Sequence, residues 1–299
     1  MTYITRQKGS NTVATSSPTA LRWWFAVAMR RLREAKNISR ETAAQEIQGS
    51  VSAIAHIENG RSLPKPLELK SLLTLYGVPE QNEAFASLRV QARKNKDWFI
   101  GFDHNEIPED FGLFLGMESS ASQLESWDAQ VIPGLFQTRG YAEAIIRGSE
   151  SNLSDAEVAR RVELRMTRQH MVFNDGEPPL VWRVLAESAL RWHVGGAEVM
   201  DEQLHHLADV AGRPGITLQV LRPSVGAHTG VEGTFTILSA PPELEDYPGC
   251  VYVETLVKSY YYEELEQIRK YRNALTELRL KATAPEQTPT LFRQLAKDL

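Results

Sequence analysis

The chain has 299 residues, is 42% hydrophobic and 24% charged, and carries a net charge of −5 with a single cysteine, Cys250. Such a composition belongs to a globular protein of about two domains and excludes a disordered tail, a collagen-like rod and a disulfide scaffold. One cysteine allows neither an internal disulfide nor a cysteine-rich zinc site, no apolar run approaches the ~20 residues that span a bilayer, and the polar start is no secretory signal, so a cytoplasmic protein without membrane contact is expected.

The net charge averages two unlike parts. Residues 1–99 hold 15 Lys and Arg against 8 Asp and Glu, whereas residues 100–299 hold 18 against 30. A basic part joined to an acidic one points to a polyanion partner for the first. Accidental clustering looks the same, so the motifs must decide.

After a polar tail over 1–17, Ser17 is a suitable N-cap and Pro18 a suitable first helical residue. Leu21, Phe25, Met29 and Leu32 recur at spacings of three and four and predict a buried helical face. Asn37 tolerates the left-handed conformation that ends such a helix, and Ser39 restarts one. Small Ala44 suits a close helix approach, Gly49 a turn, and Ser50 a cap for the next helix. In that helix Ile54 and Ile57 face inward and Val51, Ser52, Ala55 and His56 outward, before Asn59-Gly60 closes it. Leu67, Leu69, Leu72, Leu73 and Leu75 predict a further helix stopped at Gly77. Beyond Pro79, Phe85, Leu88 and Val90 and a cationic run from Arg89 to Lys96 predict a linker helix over 79–96, solvated or in contact with phosphate.

Residues 25–78 resemble the Xre-type, phage-repressor-like helix-turn-helix family. The resemblance rests on Leu32-Arg33-Glu34-Ala35, the helix that starts at Ser39, and above all Ile57-Glu58-Asn59-Gly60-Arg61. It implies an all-α five-helix domain over 18–78 that places a recognition helix, residues 50–59, in the major groove of double-stranded DNA. The DNA-facing set is then Arg40, Ser50, Val51, Ser52, His56 and Arg61. Val51 suits a thymine methyl, Ser52 a base edge or phosphate, and His56 a guanine, although a solvated histidine is an equal reading. Arg40 and Arg61 suit phosphates. Arg33 and Glu58 correspond to a structural ion pair of the family. Two positions depart from its pattern: Gln48 replaces a frequent glycine and Gly49 a frequent apolar residue.

The acidic part reads as mixed α/β. Helical periodicity resumes near Phe111, breaks at Val131-Ile132-Pro133-Gly134, and returns through Tyr141 and Ile145. Ser154 caps a helix to about His170 whose Arg160, Arg161, Arg165 and Arg168 alternate with Glu157 and Glu163, the pattern of a solvated or partner-facing surface. Strands are predicted at 180–185, 216–221, 234–238 and 251–256, a helix at 199–211, and a long amphipathic helix at 262–281 with Leu265, Ile268, Tyr271, Leu275 and Leu278 on one face. Residues 283–299 are expected to form a short tail with a helical stretch from Pro289.

Residues 97–282 resemble the sensor-like, antitoxin-like C-terminal domain of actinobacterial Xre-type regulators, a domain whose function is poorly defined. Val131-Ile132-Pro133-Gly134-Leu135-Phe136-Gln137-Thr138, Arg168-Gln169, Ala186-Glu187-Ser188, Gly226-Ala227-His228 and Tyr252-Val253-Glu254 are among the stretches that carry the resemblance. It implies a small protein partner encoded nearby. Glu187, His228 and Glu254 lie at strand or helix ends near glycines, where they either orient a ligand in a pocket or cap backbone groups. His205 and Asp209 stand one helical turn apart without a second His or Glu to complete a metal site. No phosphate loop, nucleophile elbow or carboxylate pair stands out, and neither an enzyme, a metal nor a cofactor is expected. The expectation is a homodimeric transcriptional regulator that reads a pseudo-palindromic operator and answers to a partner or ligand of its second domain. An antitoxin-like interaction module is the alternative, and a ligand sensor with residual chemistry a third reading.

Overall fold

The computed structural model describes residues 17–94, 96–102, 107, 109–150, 152–174, 178–244 and 246–299. Residues 1–16 of the expected tail over 1–17 and Asn95 of the cationic run lie outside them. Helix α1 (Pro18–Ala35) starts as expected: Ser17 Oγ accepts from the Ala20 amide and Pro18 fills the first turn. Asn37 ends it with φ +54°. Ser39 caps α2 (Arg40–Glu46) and Ser50 caps α3 (Val51–Glu58), each accepting from the amide three residues on. Helix α4 (Pro66–Leu75) starts in a box in which the Glu68 carboxylate accepts from the Lys65 amide, and Gly77 stops the chain there with φ +75°.

Three expectations about this region need correction. The left-handed residue of the turn between α2 and α3 is Gln48, at φ +50°, not Gly49. Leu67 is exposed, so the inward set of α4 is Leu69, Leu72 and Leu73. Most importantly, residues 18–78 contain only four helices. The fifth is α5 (Asn82–Lys94), the expected linker, which buries Phe85, Leu88 and Ala92 completely and packs on α1.

The second region begins with α6 (Glu109–Ser120) and β1 (Gln123–Asp128), followed by α7 (Arg139–Ser149) and α8 (Asp155–Phe173). Then come β2 (Leu180–Ala186), α9 (Ala197–Val210), β3 (Ile216–Leu221), β4 (Phe235–Leu238), β5 (Cys250–Glu254) and β6 (Ser259–Tyr262). Helices α10 (Leu265–Lys281) and α11 (Thr288–Lys297) close the chain. The six strands form one mixed sheet in the order β3-β2-β1-β4-β5-β6, parallel among the first three and antiparallel thereafter. The all-α head and mixed α/β second region agree with the sequence reading.

Strands β1 and β6 were not anticipated. Both sides of β1 carry buried polar groups, which erases the alternation that marks a half-buried strand. Glu125 turns toward α10 and takes Arg279 at 2.6 Å and Arg272 at 3.1 Å, while Ser126 and Asp128 turn to the opposite face. Tyr262 belongs to β6, so the long helix starts three residues later than expected, with Leu265 exposed. The expected tail also changes: α11 buries Leu291, Phe292 and Leu295 and packs along α9.

Helix α10 covers one sheet face through Ile268, Leu275 and Leu278 on Trp127, Ile237 and Val251. The other face joins, through Leu124, Leu185 and Leu238, one large core that continues without interruption into α1 to α5. Helix α1 is therefore buried on two sides, with Phe25 and Met29 in the head and Trp24 and Ala28 equally inaccessible. Polar ties join the two regions: Asp97 accepts from Thr19 and Ser17, Gln91 donates to Glu243 at 2.7 Å, and Arg30 pairs with Glu263.

Candidate nucleic-acid interface

The alternation along α3 separates structure from surface. Ile54, Ile57 and Glu58 are buried, and Ser50, Val51, Ser52 and His56 are exposed, with Val51 41% accessible. Ser50 Oγ is engaged as the cap of the Ala53 amide at 3.1 Å. Arg61 follows Gly60, whose φ of +71° turns the chain so that the Arg61 amide closes on the His56 carbonyl at 2.9 Å. Its side chain is exposed, as are those of Lys65 and Lys70.

Beneath this surface lies an ion cluster. Arg33 Nε donates to Glu58 Oε1 at 2.5 Å and Arg33 Nη2 to Oε2 at 3.1 Å, as the resemblance implies. Arg33 Nη1 also donates to the Ile38 carbonyl at 2.8 Å, which ties the end of α1 to the start of α2. The Glu58 carboxylate raises the Arg33 guanidinium above its ordinary value by accepting from it. Arg40 has a second role that the sequence did not reveal: its Nε donates to Glu58 Oε2 at 2.8 Å, so it clamps α2 onto α3 while its side chain stays 40% exposed. A bidentate buried pair with a second cation fixes the angle between two helices more firmly than apolar contact, because its hydrogen bonds are directional.

The three expected pocket residues go to different places. Glu187 is buried and takes Arg191 Nε at 2.7 Å. His228 Nδ1 accepts from the Gly230 amide at 3.1 Å and stands edge-on to Trp127, on the α10 side of the sheet. Both side chains thus serve local structure. Glu254 alone borders a cavity, on the opposite sheet face, walled by α6, α8 and the 131–137 segment. His205 turns to the Asp201 carbonyl at 2.9 Å rather than to Asp209, and among the described residues no three His, Cys, Asp or Glu side chains gather as metal ligands.

That cavity holds the charged residues that sequence reasoning missed. Arg168 is buried, not solvated: it gives Nε to Glu118 Oε2 at 2.5 Å and Nη2 to Oε1 at 2.8 Å, and its guanidinium lies over the rings of Phe111 and Phe114. Arg183 gives Nη1 to Ser126 Oγ at 3.0 Å and to Asp128 at 3.5 Å. Burial pushes the Asp128 carboxyl up, against the pull of Arg183. Arg165 gives Nη1 to Gln137 Oε1 at 2.6 Å. A signal was present: Val158, Val162, Arg165, Gln169 and Val172 follow helical spacing, so the arginines extend an apolar stripe instead of lying opposite it.

A tight turn between two serine-capped helices, within five helices around one core, defines this as a helix-turn-helix protein, here fused to an α/β domain. Residues 24–85 match the family described as a helix-turn-helix domain. Residues 111–294 match the domain of unknown function DUF5753, and the chain belongs to that family. Neither a curated protein nor a solved structure matches the chain. Among the described residues no helix is long and apolar enough to cross a membrane.

Proposed function

We propose that the protein is a cytoplasmic transcriptional regulator of the Xre type, not an enzyme, that binds an operator as a symmetric homodimer through α3. The observation that carries this reading is the division of α3: its inward residues are locked into the core and the Glu58 cluster, while Val51, Ser52 and His56 stand free on one face. Arg61, with the exposed part of Arg40, supplies phosphate contacts that set the register, and the three outward residues of α3 read base edges. Two heads on a pseudo-palindrome double the contacts of a small module, with half-sites about one helical turn apart. The acidic second domain repels DNA and confines binding to the basic head.

In this reading the α/β domain receives the signal, from a ligand or a small protein partner. A partner is favoured by the β5–β6 hairpin, whose tip places Leu256 and Val257 side by side in solvent, more than nine-tenths exposed. Adjacent large apolar side chains at a hairpin tip suit a protein contact. The same tip supports a second reading, an antitoxin-like module that neutralises a small protein and autoregulates its operon. Genome-wide mapping of DNA bound by the intact protein tests the main reading. Enrichment at a few promoters sharing a palindromic motif is expected, and binding without promoter enrichment overturns it.

A further inference from the structure

The cavity beside Arg165 has a volume of about 240 Å³ and lies on the sheet face opposite α10, at the carboxyl ends of β1 and β5. Sites for small ligands are concave, largely apolar, and supplied with a few convergent polar groups. Here the apolar walls come from Phe114, Ile132, Ile145 and Tyr252. The charged groups at and behind the wall come from β1, β2 and β5 and from α6 and α8, and the hydrogen bonds of most can be accounted for one by one.

Glu118 spends both carboxylate oxygens on Arg168. Asp128 spends one on Ser126 and the other on Arg183. The donors are not all spent. Arg183 is 3% exposed, yet its Nε has no partner. Arg165 has five N–H donors and makes one hydrogen bond, to the neutral Gln137, with no carboxylate within 4 Å among the described residues. Burial, with Arg168 next to it, lowers the Arg165 guanidinium to about 10, against the weaker opposing pull of Glu254. Gly134 leaves the room in which these cations sit: a Cβ there would meet Arg168 Nη1 at 3.2 Å and Arg165 Nε at 3.7 Å.

We infer that this cavity binds a small organic monoacid, its carboxylate on Arg165 and its apolar body against Phe114 and Tyr252. Once the Arg168–Glu118 and Arg183–Asp128 pairs have neutralised each other, Arg165 remains with no carboxylate in direct contact among the described residues, Glu254 acting on it only from beyond 4 Å. A monoanion matches it, whereas a doubly charged phosphate would face Asp128 and the nearby Glu254. The planar fork of arginine also suits a carboxylate in two-point contact.

The site is one helix from the head. Helix α6 presents Phe114 and Glu118 to the cavity and its ligand shell, and Gly116 to the N-terminus of α1. An occupant that shifts α6 therefore bears on the helix that carries the DNA-binding core. This consequence rests on the regulatory reading; the binding itself does not.

Benzoate is the probe, with neutral benzamide as its isostere, added to the full chain without DNA. At about ten times its Kd, benzoate should raise Tm by about 3 °C over an equal concentration of sodium chloride, and benzamide should not. Arg165→Met should abolish the benzoate increment, and Arg139→Met, a surface control paired to Glu163, should keep it. A readout on the unmutated chain covers the case in which Arg165→Met fails to fold. With arginine labelled at 15Nε, benzoate should move the Arg165 signal and leave Arg139 and Arg147 in place. No increment at 20 mM benzoate, an equal response to benzamide, an undiminished response in Arg165→Met, or an unmoved Arg165 signal would each overturn the site. Benzoate binding by a chain that shows no promoter enrichment would sink the regulatory reading and leave the site standing.

Discussion

Gly116 of α6 lies so close to Ser17 of α1 that a Cβ on Gly116 would stand 2.2 Å from Ser17 Oγ and 2.7 Å from Ser17 Cβ. Ser17 is the N-cap of α1 and bonds Asp97, so it cannot retreat without loosening both. This contact seats the α/β domain on the DNA-binding head. Gly116→Ala should destabilise the protein by about 1–3 kcal/mol through overpacking. Gly112→Ala, in the same helix with its nearest new contact at an ordinary 3.5 Å, should be neutral or stabilising by up to about 1 kcal/mol. Urea unfolding of the two variants decides; equal effects would show that α6 and α1 separate at no cost.

Glu58 accepts from two cations but depends on them unequally. Arg33 is buried with it, so Arg33→Met leaves a carboxylate with its main partner gone and should cost about 3–5 kcal/mol. Arg40 is partly solvated, and Arg40→Ala should cost no more than about 1 kcal/mol. Denaturant midpoints at constant slope would check both values.

Gln48 holds the left-handed conformation at which the Xre-type pattern has glycine. A side chain at φ +50° costs about 1–2 kcal/mol, and a glycine returns part of that gain as unfolded-chain entropy. Gln48→Gly should therefore stabilise the protein by about 0.5–1 kcal/mol, since Gln48 is exposed and gives up no packing. A fall in Tm would mean that Gln48 has a partner role that outweighs its backbone strain.

On DNA, Arg61→Ala should weaken binding to every sequence and reduce the salt slope by about one. Ser52→Ala and His56→Ala should instead change base preference, by about 1–3 kcal/mol at one position. Electrophoretic titration on operator and scrambled DNA at two salt concentrations distinguishes them. Losses of equal size on both DNAs for all these variants would remove α3 as the reading element. Arg40→Ala should mix the two effects, because Arg40 also braces α2 against α3.

The head of the protein was legible from its sequence because its signals are local. Serine caps at 17, 39 and 50, the apolar spacing of α1 and the Asn37 and Gly77 stops each act within about one helical turn, and the structure uses every one of them. Misreadings arose where a distant partner decides. The cationic segment that looked like a linker became α5 because Phe85 and Leu88 find α1 and Tyr247, not because of its charge. Polar Glu125, Ser126 and Asp128 disguised β1, since only Arg272, Arg279 and Arg183 make their burial tolerable.

What the sequence by itself determined is therefore the five helical segments of the head, the α/β character of the second region and the outward face of α3, all products of backbone periodicity and capping. What only the tertiary structure decided is which charges meet. Arg183 and Ser126 are 57 residues apart, and Arg168 and Glu118 50 apart, yet each pair shares a hydrogen bond in the interior. A buried guanidinium is identical in sequence to a solvated one. The cost of its desolvation is offset only by the carboxylate folded against it, and for Arg165 none of the described residues supplies such a group in direct contact.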